Sequence, residues 1–317
     1  MSVVPAPVRE ILRGGAFCHI ASSTRSGPHV TPMVFAVAGG RIWVTTSRGS
    51  VKARAWRIDP RVAGMVRADE ATVVVFTGSV TTYDLLDPQS WSRSVRESPL
   101  IGVAAARFTA KNARFFAGYA VDAHRVPLAW TPPGRVFAEL RIERSALLDD
   151  GRVSAWGEWG DRVIGIERFR ASRTGGAPLG GLPAAVRDCL GESGTGVLAL
   201  QTDDGPVALP ARWAVEGSAL YAVLEAETLE LAEPTTGVAV SLEIDRASWW
   251  RARAMVGAMV RGDGEVAVIR ELASGERSAT RIVGLSGLDS SDAALVRIRP
   301  RSLVWWRGWA SGTVAVR

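Results

Sequence analysis

Lysine is almost missing from this 317-residue chain. Only Lys52 and Lys111 occur, and the other 36 of its 38 basic residues are arginine. The net charge is +6 and the pI near 10.1, yet the arginines are scattered rather than gathered in a run. A nucleic-acid surface calls for clustered cations with interleaved aromatics, so the pattern predicts a solvated surface and no nucleic-acid partner. Histidine and cysteine are also scarce, with His19, His29, His124, Cys18 and Cys189. No spacing among them is that of a zinc site, and no Ser-His-Asp arrangement can be built from them. No apolar run reaches the roughly 18–20 residues of a membrane-spanning helix. The start, Met1-Ser2-Val3-Val4-Pro5, lacks the basic-then-apolar order of a secretory signal. These absences predict a cytoplasmic protein with no membrane partner, no metal and no disulfide.

The hydrophobic content of 47% and charged content of 22% are ordinary for a folded chain. At about 150 residues per domain, the length predicts two domains. Residues 25–62 organise the first. Gly27-Pro28 makes a turn, and residues 29–37 read as a strand. Gly39-Gly40 is a two-residue hairpin signal. A strand over 41–46 then runs into Thr45-Thr46-Ser47-Arg48-Gly49-Ser50-Val51-Lys52-Ala53-Arg54. That segment sets hydroxyls and cations between a strand end and a helix over 52–58, an arrangement suited to a phosphate. Ser and Thr there equally suit plain helix capping, and Arg48 and Arg54 equally suit solvent.

Elsewhere, residues 7–13 read as a short helix, and 16–22, 62–66, 71–81 and 135–143 as strands. Residues 83–95 and 100–106 read as helices bounded by Pro88 and Pro99, and 108–120 as a further candidate helix. Pro127, Pro132 and Pro133 mark a loop. Residues 149–178 read as a connection whose apolar part, with Trp156, Trp159 and Phe169, packs on one of the halves; Thr174-Gly175-Gly176 is linker-like. A helix over 182–190 opens the second half. Trp249-Trp250 and Trp305-Trp306 with Trp309 read as packing clusters or as a stacking surface for a planar cofactor.

The second half repeats the first at a constant offset of 178. Gly27-Pro28 falls on Gly205-Pro206, Pro32 on Pro210, Phe35 on Trp213, Gly39 on Gly217 and Trp43 on Tyr221. Turn residues and apolar positions coincide without a gap, which marks an internal duplication. The copies then part: Ser47, Ser50 and Lys52 fall on Glu225, Thr228 and Glu230. Carboxylates there would repel a phosphate, so the pattern predicts one phosphate site, on the first copy.

The order of helix, strand, G-P-x-x-x-P strand, hairpin, T-T-S-x-x-S-x-K, helix and D-P-R-V strand resembles the flavin-binding split β-barrel family related to pyridoxamine 5′-phosphate oxidase, including relatives that use the deazaflavin F420. The resemblance implies a mainly β (α+β) fold of two tandem split β-barrels, at 1–148 and 179–317, joined by 149–178. It implies a cofactor between barrels, with its phosphate held by Thr45, Thr46, Ser47, Ser50 and Lys52, and Arg54 as a further candidate. Pro32, Met33, Val34 and Phe35 would run along the ring system. The implied activity is an oxidoreductase using FMN, or alternatively F420, on a small-molecule substrate. No catalytic side chain is assigned, since such cofactors carry the hydride chemistry themselves. The alternative is a non-catalytic flavin or haem binder, or a duplicated barrel that has lost its cofactor. An intrachain pseudo-dimer follows from the duplication, with a further homodimer left open.

Overall fold

The computed structural model describes residues 4–69, 71–121, 134–149, 152–157, 159, 177–232, 238–246, 252–268 and 293–316. His124, Pro127, Pro132, Pro133, Phe169, residues 174–176, Trp249 and Trp250 lie outside the described residues. In the first half, α1 (Ala6–Gly14) leads into β1 (Phe17–Thr24), β2 (Gly27–Ala38), β3 (Arg41–Ser47), α2 (Val51–Ile58), β4 (Arg61–Arg67) and β5 (Thr72–Tyr83). Three helices follow, α3 (Pro88–Arg96), α4 (Ser98–Lys111) and α5 (Ala113–Val121), then β6 (Arg135–Asp149) and β7 (Arg152–Trp156). The second half contains α6 (Ala184–Leu190), β8 (Ser193–Thr202), β9 (Gly205–Glu216), β10 (Ala219–Glu225) and α7 (Ala226–Glu230). After these come β11 (Val238–Arg246), β12 (Val256–Val268), β13 (Ala293–Arg307) and β14 (Ala310–Ala315). Among the described residues, no helix is long and apolar enough to cross a membrane.

The two halves are antiparallel sheets of one topology. The strand order is β3-β2-β1-β4-β5-β6-β7, closed into a barrel by a β3–β6 pairing. The second order, β10-β9-β8-β11-β12-β13-β14, is closed by β10–β13. The sequence offset of 178 survives as structure: β2 and β9, and β3 and β10, begin at equivalent residues. Both β2–β3 and β9–β10 turn through glycine in the left-handed region, Gly39 and Gly40 at φ 58° and 72° and Gly217 at φ 59°, a conformation that is strained for other residues. Segment 149–178 holds a strand that its sequence conceals. Arg152–Trp156 is β7, paired with β6 from Ser145↔Trp156 to Asp149↔Arg152. Residues 108–120 resolve into the end of α4 and most of α5.

Strand alternation gives each barrel two faces. From β1, Cys18 and Ile20 point into the first barrel with Phe35, Ile42, Val44, Trp56 and Phe76. Ala21, on the other face, joins Val30, Ala63, Met65, Val73 and Val75 in a cluster continuous with the second barrel's Val197, Leu198, Leu209 and Val260. The first barrel therefore buries much of its outer face against the second. Each Val or Met so withdrawn contributes about 1.5–3 kcal/mol. Trp305 and Trp306 pack against this cluster, which favours the packing reading of that aromatic pair.

A β-bulge recurs in both barrels, at Thr77/Gly78 on β5 and at Arg261/Gly262 on β12. A Cβ on Gly78 would collide with the Arg141 carbonyl oxygen, and one on Gly262 with that of Arg299. Gly78→Ala and Gly262→Ala should each lower stability by more than about 2 kcal/mol, because backbone must move. Gly102→Ala, on open helical surface of α4, should instead be neutral or stabilising by up to about 1 kcal/mol. Urea midpoints of the three variants check this.

Candidate functional site

The split in the first barrel begins at β2. This strand pairs with β1 over residues 27–34 but with β3 only over 35–38. The Gly39-Gly40 turn closes the hairpin, and β3 then leaves to pair with β6 from Ile42↔Leu140 to Ser47↔Arg135. One edge of β2 is thereby opened before Phe35. The second barrel covers its start: Ser241 Oγ donates to the Pro28 carbonyl at 2.8 Å, and the Val30 N–H faces Met259 Sδ at 3.3 Å. Backbone groups alternate in direction along a strand, so Pro32 and Val34 present theirs to the same edge. The Met33 and Phe35 side chains point the other way, into the barrel core.

Beside this edge stand the hydroxyls and cations. Ser50 caps α2, its Oγ accepting from the Ala53 N–H at 3.1 Å. Thr46 Oγ1 lies 3.1 Å from Ser50 Oγ. Thr45 Oγ1 donates to the Val136 carbonyl at 3.1 Å and accepts from Arg135 Nε at 3.0 Å. Arg135 also donates to the Thr45 carbonyl at 2.9 Å. Lys52 reaches across to β2, where its Nζ donates to Thr31 Oγ1 at 2.6 Å. The structure thus gathers Thr45, Thr46, Ser50 and Lys52, with Ser47 at the end of β3 opposite Arg135. It does not bring Arg54 to them. That residue is exposed, two positions past Lys52 and so near the opposite side of the helix. Arg48 is held away in an ion pair with Asp84.

Charge crowding marks the group. Burial and the neighbouring Arg135 press the Lys52 ammonium down to about 8, against the opposing pull of Glu243 from β11. Burial, then Lys52 and Arg261, push the His29 imidazole down to about 3. Cations that lower one another's pKa make a place where an anion is favoured. In that respect the residues fit a phosphate: Lys52 and Arg135 supply charge, and the Thr46–Ser50 hydroxyl pair supplies donors. The open edge at Pro32 and Val34 offers backbone groups to a planar ring.

The duplication supplies an internal control. His29, Thr31 and Lys52 fall on Val207, Leu209 and Glu230, and Ser241 and Glu243 fall on Ala63 and Met65. One end of the inter-barrel surface is polar, and the matching positions at the other are mostly apolar. Thr31, Arg135, Arg261 and Glu243 were not legible as site residues. Arg135 is one arginine among 36, and the other three join the group only through barrel closure or docking. Lys111, 3.6 Å above the Phe35 ring, lies apart from the group.

Residues 6–96, from α1 to α3, match the family model described as pyridoxamine 5′-phosphate oxidase, in agreement with the resemblance read from the sequence. No curated protein matches the chain. Similar solved structures include an F420 reductase, 21% identical over 45% of this chain and 98% of that one, with a TM-score of 0.30. An FAD-binding protein from Mesorhizobium loti is 17% identical over 45% and 92%, with a TM-score of 0.31. A heme-binding protein from Mycobacterium smegmatis is 15% identical over 49% and 60%, with a TM-score of 0.33.

The His29 environment has a measurable consequence. The unfolded chain takes up this proton below about 6.5, whereas the folded chain resists until about 3. Acid therefore favours unfolding, by up to roughly 1.4 kcal/mol per pH unit in that window. Urea titrations from pH 7 to 4 should show stability falling, and His29→Asn should flatten the slope.

Proposed function

We propose that this chain is an oxidoreductase that binds one flavin-type cofactor per chain between its two barrels. FMN is the first choice and F420 the second. The observation that carries the reading is Lys52, a half-buried lysine beside Arg135, bonded to Thr31 next to the open edge of β2. In this reading residues 1–148 supply the phosphate grip, through Lys52, Arg135 and the hydroxyls of Thr46, Ser47 and Ser50. Residues 179–317 cover the site through β11 and β12, and 149–178 connect the two. Pro32 and Val34 hold the ring edge by backbone groups, while Met33 and Phe35 fix the strand by anchoring it in the core. Bound there, the cofactor supplies hydride transfer. The protein supplies orientation, positive charge and exclusion of water. The substrate is a small molecule, and α3–α5 are placed to meet it: Asn112 Nδ2 donates to the Phe35 carbonyl at 3.3 Å, so α4 sits against β2.

A second reading, a duplicated barrel without a cofactor, draws on the prior engagement of the hydroxyls. Ser50 already caps α2, and Thr45 is already bonded to Arg135. Titration of the full chain with FMN and with F420 separates the two. One equivalent of one cofactor should bind, with at least tenfold weaker binding in Lys52→Glu, which copies the second barrel's residue into the first. Arg54→Ala should bind like the parent chain. Absence of saturable binding of either cofactor would overturn the oxidoreductase reading and favour the cofactor-free barrel.

A further inference from the structure

The inter-barrel surface holds a second polar group, which shares Glu243 with the surroundings of Lys52. His19 on β1 faces two carboxylates of β11, Glu243 and Asp245. The carboxylates are two residues apart on one strand and so lie on one face. His19 Nε2 is 3.5 Å from Glu243 Oε2 and 3.6 Å from Asp245 Oδ1, and one ligand atom from each residue lies within 4.8 Å of the others. These are ion-pair separations, too long for hydrogen bonds. Among the described residues, both nitrogens of His19, both oxygens of Glu243 and Asp245 Oδ2 are buried without a hydrogen-bond partner, and Glu243 is wholly shielded from solvent. A carboxylate left in that condition is expensive, and natural proteins pair it or give it to a metal.

The pseudo-symmetry shows that the fold does not require this group. His19 pairs with Met65 on β4, and Val197 pairs with Glu243 on β11. These are equivalent positions in the two barrels, so the mates of His19 and Glu243, Val197 and Met65, lie directly beside them across the pseudo-twofold axis. Both are buried in the shared cluster. Apolar residues seal the surface there, so the polar set beside them calls for a ligand.

We propose that His19, Glu243 and Asp245 form a divalent metal site that joins the first barrel to the second. Ligand atoms about 2.1 Å from a tetrahedral ion stand about 3.4 Å apart, close to the two observed separations. One imidazole and two carboxylates, without thiolate, suit borderline zinc or the harder manganese(II) rather than soft copper(I). Three protein ligands leave a coordination position open. The proposal does not rest on the cofactor reading, since its ligands are neither Lys52 nor the β2 edge, although Glu243 also pulls on the Lys52 ammonium.

The test is titration of the chelator-treated full chain with Co²⁺, read by its visible ligand-field bands, with Zn²⁺ as displacing ion. One Co²⁺ should bind per chain and be displaced by Zn²⁺, and Zn²⁺ should raise the melting temperature. Glu243→Gln, which keeps shape and removes charge, and His19→Asn should each weaken Co²⁺ binding at least tenfold and abolish the thermal shift. Asp188→Asn, an exposed carboxylate on α6, should do neither. Failure of the parent chain to bind Co²⁺ below about 100 μM would overturn the site, as would equal binding by both ligand variants with native circular dichroism.

Discussion

Two closed barrels can share a core only if one of them turns an apolar face outward. That constraint governs this molecule. Ala21, Val30, Ala63, Met65, Val73 and Val75 lie on the strands that also wall the first barrel, yet they belong to the cluster of the second. The strands β1, β2, β4 and β5 are therefore buried on both sides. Everything of chemical interest sits where this apolar contact gives way, because a charged group in a dry seam is either matched or strongly perturbed. Lys52, His29 and Glu243 are all perturbed by burial in this seam.

The covalent link between the copies is what permits the perturbation to be one-sided. A symmetric dimer repeats each substitution at both ends of its interface. With two copies in one chain, Glu243 can replace an apolar residue on the second barrel while Met65 remains on the first. A histidine on β1 can then meet a carboxylate on one side of the pseudo-twofold axis while its mate Val197 stays apolar on the other. The polar and apolar sets are free to diverge separately.

Sequence reading recovered the parts fixed by local chemistry. The Gly39-Gly40 hairpin and the α4 start at Pro99 each depend on one or two residues with a strong conformational rule, whereas the helix read over 83–95 begins only at Pro88, because β5 runs on to Tyr83. The duplication was legible because turn residues and core residues kept their spacing. The strand β7 was not, since Arg152-Val153-Ser154-Ala155-Trp156 is short, largely exposed and lies at the sheet edge. Nor was the pairing of faces between barrels. Doubly buried strands lose the alternation that would show which side is inside. His19 and Glu243 are remote in sequence, so spacing carried no hint of their approach. Arg54 shows the opposite failure, because proximity to Lys52 in sequence suggested a shared role that helical geometry separates.

Barrel closure also has an order in time. Pairing β3 with β6 joins Ser47 to Arg135, and residues 84–134 must leave the ribosome before β6 can arrive. In the second barrel only residues 269–292 intervene between β12 and β13. Doubling a loop costs only about 0.6 kcal/mol of closure entropy, so the longer excursion scarcely alters the finished barrel. It does extend, by seconds at ordinary synthesis rates, the interval in which β3 and β5 are open edges able to recruit a foreign strand. The residues made in that interval are α3, α4 and α5. Ala104 of α4 joins Ala38, Trp43 and Tyr83 in one small core against those same strands. The insertion that delays closure therefore also packs against both of the strands that wait for β6.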